Sequence, residues 1–161
     1  MGNSSIEFGP AVFGGDTVAF LELQVDAEPT TEARRIMARG ATDGTTIQAV
    51  EFSVGQGGFD PNDYTAALPV NPDAVALDDV IFGPEPIDHI ERPNVQAISC
   101  YCVLEASEAN VTLGEIAIWG DVQNSVGDPP DDTKVVMAIG HFPILCKNSS
   151  MRYALRVTIQ A

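Results

Sequence analysis

Residues 110 to 122 read NVTLGEIAIWGDV, and they place one glutamate where a carboxylate is unusual. Read with a period of two, one face carries Val111, Leu113, Glu115, Ala117 and Trp119, and the other Thr112, Gly114, Ile116 and Ile118. Both faces are mostly apolar, the pattern of a strand covered on both sides. A carboxylate among such neighbours is costly unless it is paired or hydrogen-bonded. Glu115 could therefore be an acid with a raised pKa, a metal ligand, or a structural carboxylate with a fixed partner.

The residue types that the first two roles need are sparse. There are two histidines, His89 in a proline-flanked loop and His141 near the end of a strand, before Phe142-Pro143. No GxSxG, HExxH, P-loop or GxGxxG pattern is present. SVGQGG (53–58) is glycine-rich, but it joins two extended segments and lacks lysine, so it reads as a turn and not as a phosphate cradle. DPNDYT (60–65) offers oxygens from Asp60, Asn62 and Asp63 as a weak calcium candidate, without the spacing or terminal glutamate of an EF-hand. Of the three cysteines, Cys100 and Cys102 share one face of a strand-like run and Cys146 stands apart. An odd count without a CxxC pair argues against zinc and for three buried free thiols. We expect no catalytic residue, no metal and no cofactor.

The elements that position these residues are mainly strands. TVAFLELQV (17–25) alternates, TTIQAVEFSVGQGG (45–58) runs into a glycine turn, and AVALDDVIFG (74–83) continues as a strand until PEPIDHIERPN interrupts. VQAISCYCVLEA (95–106) and VTLGEIAIWG (111–120) read as strands joined by a short turn, hence as an antiparallel pair. KVVMAIGHFPI and MRYALRVTIQ close the chain as two more. EPTTEARRIMARG is the one helix signal, with a stripe of Ala33, Ile36 and Met37 and a stop at Gly40. FDPNDYTAALPVNPD (59–73) and DVQNSVGDPPDDT (121–133) read as loops. The fold class is mainly β: one antiparallel β-sandwich or barrel-like domain with a short helix. Residues 1–16 form an extended arm and 17–161 the single domain. Ile6, Phe8, Val12 and Phe13 make the arm too apolar to float freely, and we expect it to dock on a neighbouring subunit or another protein.

The chain's 161 residues suit one domain with a real core. Its net charge of −15 lacks the basic footprint of a nucleic-acid binder and suits no anionic membrane surface. Apolar runs fall far short of the ~20 residues needed to cross a bilayer. No Lys or Arg lies between Arg39 and Arg92, while that segment holds Asp43, Glu51, Asp60, Asp63, Asp73, Asp78, Asp79, Glu85, Asp88 and Glu91. It reads either as a solvated surface or as a face that steers a basic partner.

From residue 33 to 160 the order of signals resembles the N-terminal domain of phage tail-collar fibre proteins. That family runs from a short helix to a strand ending in a "vGdG"-like turn, a Pro-rich loop, a central strand, an "irEvGlfd"-like strand, an "avg.fP...K" strand and a final alternating strand. Here ARRIMARG, IQAVEFSVGQGG, DYTAALPVNP, VQAISCYCVLEA, TLGEIAIWGD, VVMAIGHFPILCK and RYALRVTIQ follow in that order. The resemblance carries Glu115 onto the family's glutamate, Trp119 onto its aromatic and Lys147 onto its lysine, all three as structural residues. Gly114 stands where the family has arginine, and the turn is GQG instead of GdG. Glu115 must then find another partner, with Lys147, Arg152, Arg156 or backbone donors as candidates.

The resemblance implies a structural virion protein of a tailed phage, made in the host cytoplasm. It would attach tail fibres to the baseplate, with baseplate and fibre proteins as partners, as a homo-oligomer and by analogy with fibres a trimer. The chain ends where the family domain ends, so a stand-alone connector is expected. The alternatives are a small soluble β-sandwich module binding carbohydrate, with or without calcium, and a hydrolase using acidic residues.

Overall fold

The computed structural model describes residues 5–13, 16–123 and 134–160, with side chains from residue 21 onward except Tyr64. It is mainly β, as expected, with eleven strands among those residues: β1 (Ser5–Phe13), β2 (Asp16–Pro29), β3 (Thr46–Gly55), β4 (Phe59–Asp60), β5 (Asp63–Ala67), β6 (Val80–Pro86), β7 (His89–Asn94), β8 (Ala97–Leu104), β9 (Thr112–Gln123), β10 (Lys134–Cys146) and β11 (Arg152–Gln160). One helix, α1 (Thr31–Asp43), follows β2.

Strands β1, β2, β11, β8 and β7 form a first sheet; β10, β9, β3 and β6 form a second, and β4–β5 is a separate small hairpin. The two sheets join at a corner where the end of β2 meets β10, Pro29 opposite Ala138 and Glu28 opposite Ile139. All ladders are antiparallel except β2–β11, which is parallel. Alternation builds the first sheet: on β11, Tyr153, Leu155, Val157 and Ile159 are buried, while Arg152, Ala154, Arg156 and Thr158 between them are half-exposed. These inner residues meet Phe52, Ile116, Ile118 and Phe142 of the second sheet in one core.

Strand β9 is buried on both faces, as its sequence requires. Ile116 and Ile118 face the main core. Ala117 and Trp119 face a smaller cluster with Val136, Ile139 and Leu77, closed by Val70 and Ala74 from the segment between β5 and β6. That segment acts as a third layer.

Four expectations are corrected. Strands β8 and β9 do not pair: β8 lies between β7 and β11, β9 between β3 and β10. The short connection after Leu104 crosses from one sheet to the other. The helix does not stop at Gly40. It runs on to Asp43 and ends at Gly44, whose φ of 76° gives the left-handed cap and whose N–H donates to Gly40 O. Gly40 is glycine because a Cβ there would sit 2.3 Å from Thr45 O. Met37 of the predicted apolar stripe is exposed, and α1 packs through Ala33 and Ile36. PEPIDHIERPN, read as an interruption, carries the end of β6 and all of β7; both are edge strands, where proline is tolerated. The 124–133 part of the predicted loop lies outside the described residues.

Candidate functional site

Glu115 is wholly buried. Its Oε1 accepts the N–H of Asp79 at 2.8 Å and of Gly57 at 3.2 Å, and its Oε2 accepts the N–H of Asp78 at 3.1 Å. No Lys, Arg or His forms an ion pair with it among the described residues. The expected cations are engaged elsewhere: Lys147 on Asn110, Arg152 on Glu105, and Arg156 over the Tyr101 ring. The partner is thus the backbone, through charge-assisted hydrogen bonds that are stronger than neutral ones.

Three separate stretches meet at this carboxylate. The turn after β3 wraps it so closely that a Cβ at Gly55 would lie 2.4 Å from Oε1, and one at Gly57 3.0 Å from the carboxyl carbon. The entry to β6 supplies Asp78 and Asp79, and Gln56 N–H donates back to Asp79 O at 2.9 Å. Gly114, just before the glutamate, faces Gly57 O, which would stand 2.2 Å from any Cβ there. The arginine of the resembled family has no room at this position. Gly58, at φ 85°, continues the turn in the left-handed region, and its O accepts from Leu68 N at 2.8 Å.

The outer side of this clasp opens on a shallow cleft of about 120 Å³, lined by Leu68, Pro69, Leu77, Asp78, Glu115 and His141 among others. Small-molecule sites usually begin at ~300 Å³. His141 is not free within it: its Nδ1 lies 2.9 Å from Leu68 O, which fixes Nδ1 as the donor.

The other predicted residues lie apart. Trp119 donates from Nε1 to Ser53 Oγ at 3.0 Å and covers the smaller cluster. Lys147 is buried just past the end of β10, beside the start of β9. Its Nζ donates to Asn110 Oδ1 at 2.8 Å and to Ala106 O at 3.4 Å, and it sits 5.4 Å from the Tyr153 ring centre. Burial pushes its pKa down, against the opposing pull of Glu108 and Glu105.

Asp60 and Asp63 lie at the β4–β5 turn and spend oxygens locally. Asp60 Oδ1 accepts from Asn62 N at 2.8 Å; Asp63 Oδ1 accepts from Thr65 N at 3.1 Å and Thr65 Oγ1 at 2.6 Å. Among the described residues no three His, Cys, Asp or Glu side chains gather to hold a metal. Ile6, Phe8, Val12 and Phe13 lie on β1, opposite Leu23, Leu21, Thr17 and Asp16 of β2, so the arm's backbone is paired within its own chain. Cys100 and Cys102 are buried, with burial pushing the Cys100 thiol to about 11 and Cys102 well upward; Cys146 is exposed, which corrects the expectation of three buried thiols.

Backbone donors were among the candidates; what sequence reasoning missed is which main-chain groups supply them. Asp78 and Asp79 contribute main-chain N–H groups while their side chains point to solvent, and no residue-type signal announces a backbone donor. Compared with protein-family models, curated proteins and solved structures, the chain matches none.

Proposed function

We propose that this chain is a structural connector in the virion of a tailed phage, attaching tail fibres to the baseplate as a homo-oligomer. The observation that carries this reading is the meeting of the resembled motifs in space. The GQGG turn and the TLGEIAIWGD strand meet at Glu115, the one acid carried over from the family pattern, and the Pro-rich segment reaches the same turn through Leu68 N–H on Gly58 O. Both oxygens of that acid are occupied by main-chain donors, which supports a holding role over a reacting one. The acidic 43–91 segment, with Asp78, Asp79, Glu85, Asp88 and Glu91 exposed, is the surface offered to a basic partner.

The test is localisation. An antibody to the purified protein should label the tail end of phage particles made by the cells that carry this gene, in negative-stain electron microscopy. Particles that lack the protein in both labelling and mass spectrometry would overturn the reading.

A further inference from the structure

The first sheet ends in β1 on one side and β7 on the other. Each pairs with a single neighbour, β1 with β2 and β7 with β8, so among the described residues each leaves one edge of N–H and C=O groups unpaired. Exposed edges of this kind are templates for strand addition. Their directions are complementary. If β2 points up, β1 points down, β11 up, β8 down and β7 up. A second copy set alongside in the same orientation therefore brings its β7 antiparallel to β1 of the first.

The composition of the two edges fits this pairing. Ile90 on β7 stands opposite the wholly buried Cys100 yet is 39 % exposed, and Val95 just after β7 is fully exposed. On β1, Ile6 and Phe8 occupy the register positions opposite buried Leu23 and Leu21. The outer part of the β1–β2 hairpin, Pro10–Phe13 with Asp16–Ala19, also runs beyond the first β2–β11 rung at Phe20 and Arg152. A two-stranded ribbon left alone in water is marginal at best.

We propose that β1 of one copy adds to β7 of the next, so that the first sheet continues from subunit to subunit. The contact is heterologous, and its rotation decides between a closed ring and an open chain. It rests on the connector reading for the expectation of self-association, and adds the two edges that make it. Each copy carries −15, so added salt should strengthen assembly by screening repulsion while leaving main-chain hydrogen bonds in place.

The experiment uses the full chain with Glu7→Cys, Glu91→Cys and Cys146→Ser, treated with a short bismaleimide; Cys100 and Cys102 are buried. Within one copy β2, β11 and β8 separate the new thiols by about four strand spacings, ~19 Å, beyond the reach of a short linker. The expected result is covalent multiples of the 17.1 kDa chain, lost when either new cysteine is omitted. An oligomer by light scattering that yields no such multiples overturns the edge pairing and leaves the connector reading standing. A monomer at all salt concentrations overturns the proposal together with the expected self-association, whereas the connector reading itself fails only if the protein is absent from virions.

Discussion

Glu115 and Lys147 are both buried, both charged and both at the β9–β10 pair, yet they are satisfied in opposite ways. The glutamate takes three main-chain N–H groups from two distant segments and no counter-charge. The lysine takes a side-chain amide, a carbonyl and an aromatic ring from the crossover and from β11, with Glu105 and Glu108 nearby. A carboxylate has only acceptors to offer, so it can gather the N–H groups that turns leave unpaired. An ammonium has only donors and is served by carbonyls and amides. The acid therefore fixes backbone geometry across three stretches of chain. The base mainly plugs the end of the core.

The sharpest break of this comparison is Glu115→Ala. It leaves three N–H groups, partly shielded from water, without acceptors and should cost ~3–5 kcal/mol, read as a lower midpoint in urea unfolding. Glu115→Gln keeps one acceptor and turns an NH₂ toward the remaining donors, so a loss of ~2–3 kcal/mol is expected. A Gln variant as stable as the wild type would show that the clasp is not held by charge. Next comes Gly114→Ala, whose Cβ must displace Gly57 O; a loss of ~1–3 kcal/mol is expected, with faster proteolysis of the 55–79 region.

Raising the pH sharpens the comparison from the side of the buried thiols. Cys100 is pushed from 9.0 to about 11 by burial, so it stays neutral in the fold while it ionises in the unfolded chain. Its contribution is fully present below pH 9 and is lost as pH rises through 11, by as much as ~2–3 kcal/mol. Stability should therefore fall across that window, and fall less in Cys100→Ala. Lys147 runs the other way. Its lowered pKa is a penalty present at neutral pH and relieved as pH approaches 10.5. Lys147→Met should accordingly stay within ~1 kcal/mol of the wild type at pH 7, the smallest effect in the series, and lack that alkaline relief.

How much of this could be read beforehand depended on whether the signal lay in side chains or in backbone. The two apolar faces of β9 were legible because burial on both sides writes an unbroken apolar run, and the covering segment over Ala117 and Trp119 follows from it. The alternation of β11 was equally plain. The partnering of β8 was not: a short turn between two good strands looks the same whether the chain folds back or crosses to the other sheet. The helix end was missed because Gly40 serves a close approach to Thr45 while Gly44 supplies the cap, and the sequence does not distinguish those two uses of glycine. The prolines of β6 and β7 hid edge strands for a related reason, since proline forbids only the interior of a sheet.

The parallel ladder between β2 and β11 has a consequence for how the protein is made. Phe20 pairs with Arg152 and Ala27 with Ile159, so two strands that lie side by side are separated in sequence by β3 to β10. That same β2 is the corner on which the two sheets join. During synthesis the first sheet lacks its middle until β11 has left the ribosome, and the edges of β2 and β8 that it joins wait unpaired. Closure of the sheet is then slow, because its central ladder joins strands far apart in sequence.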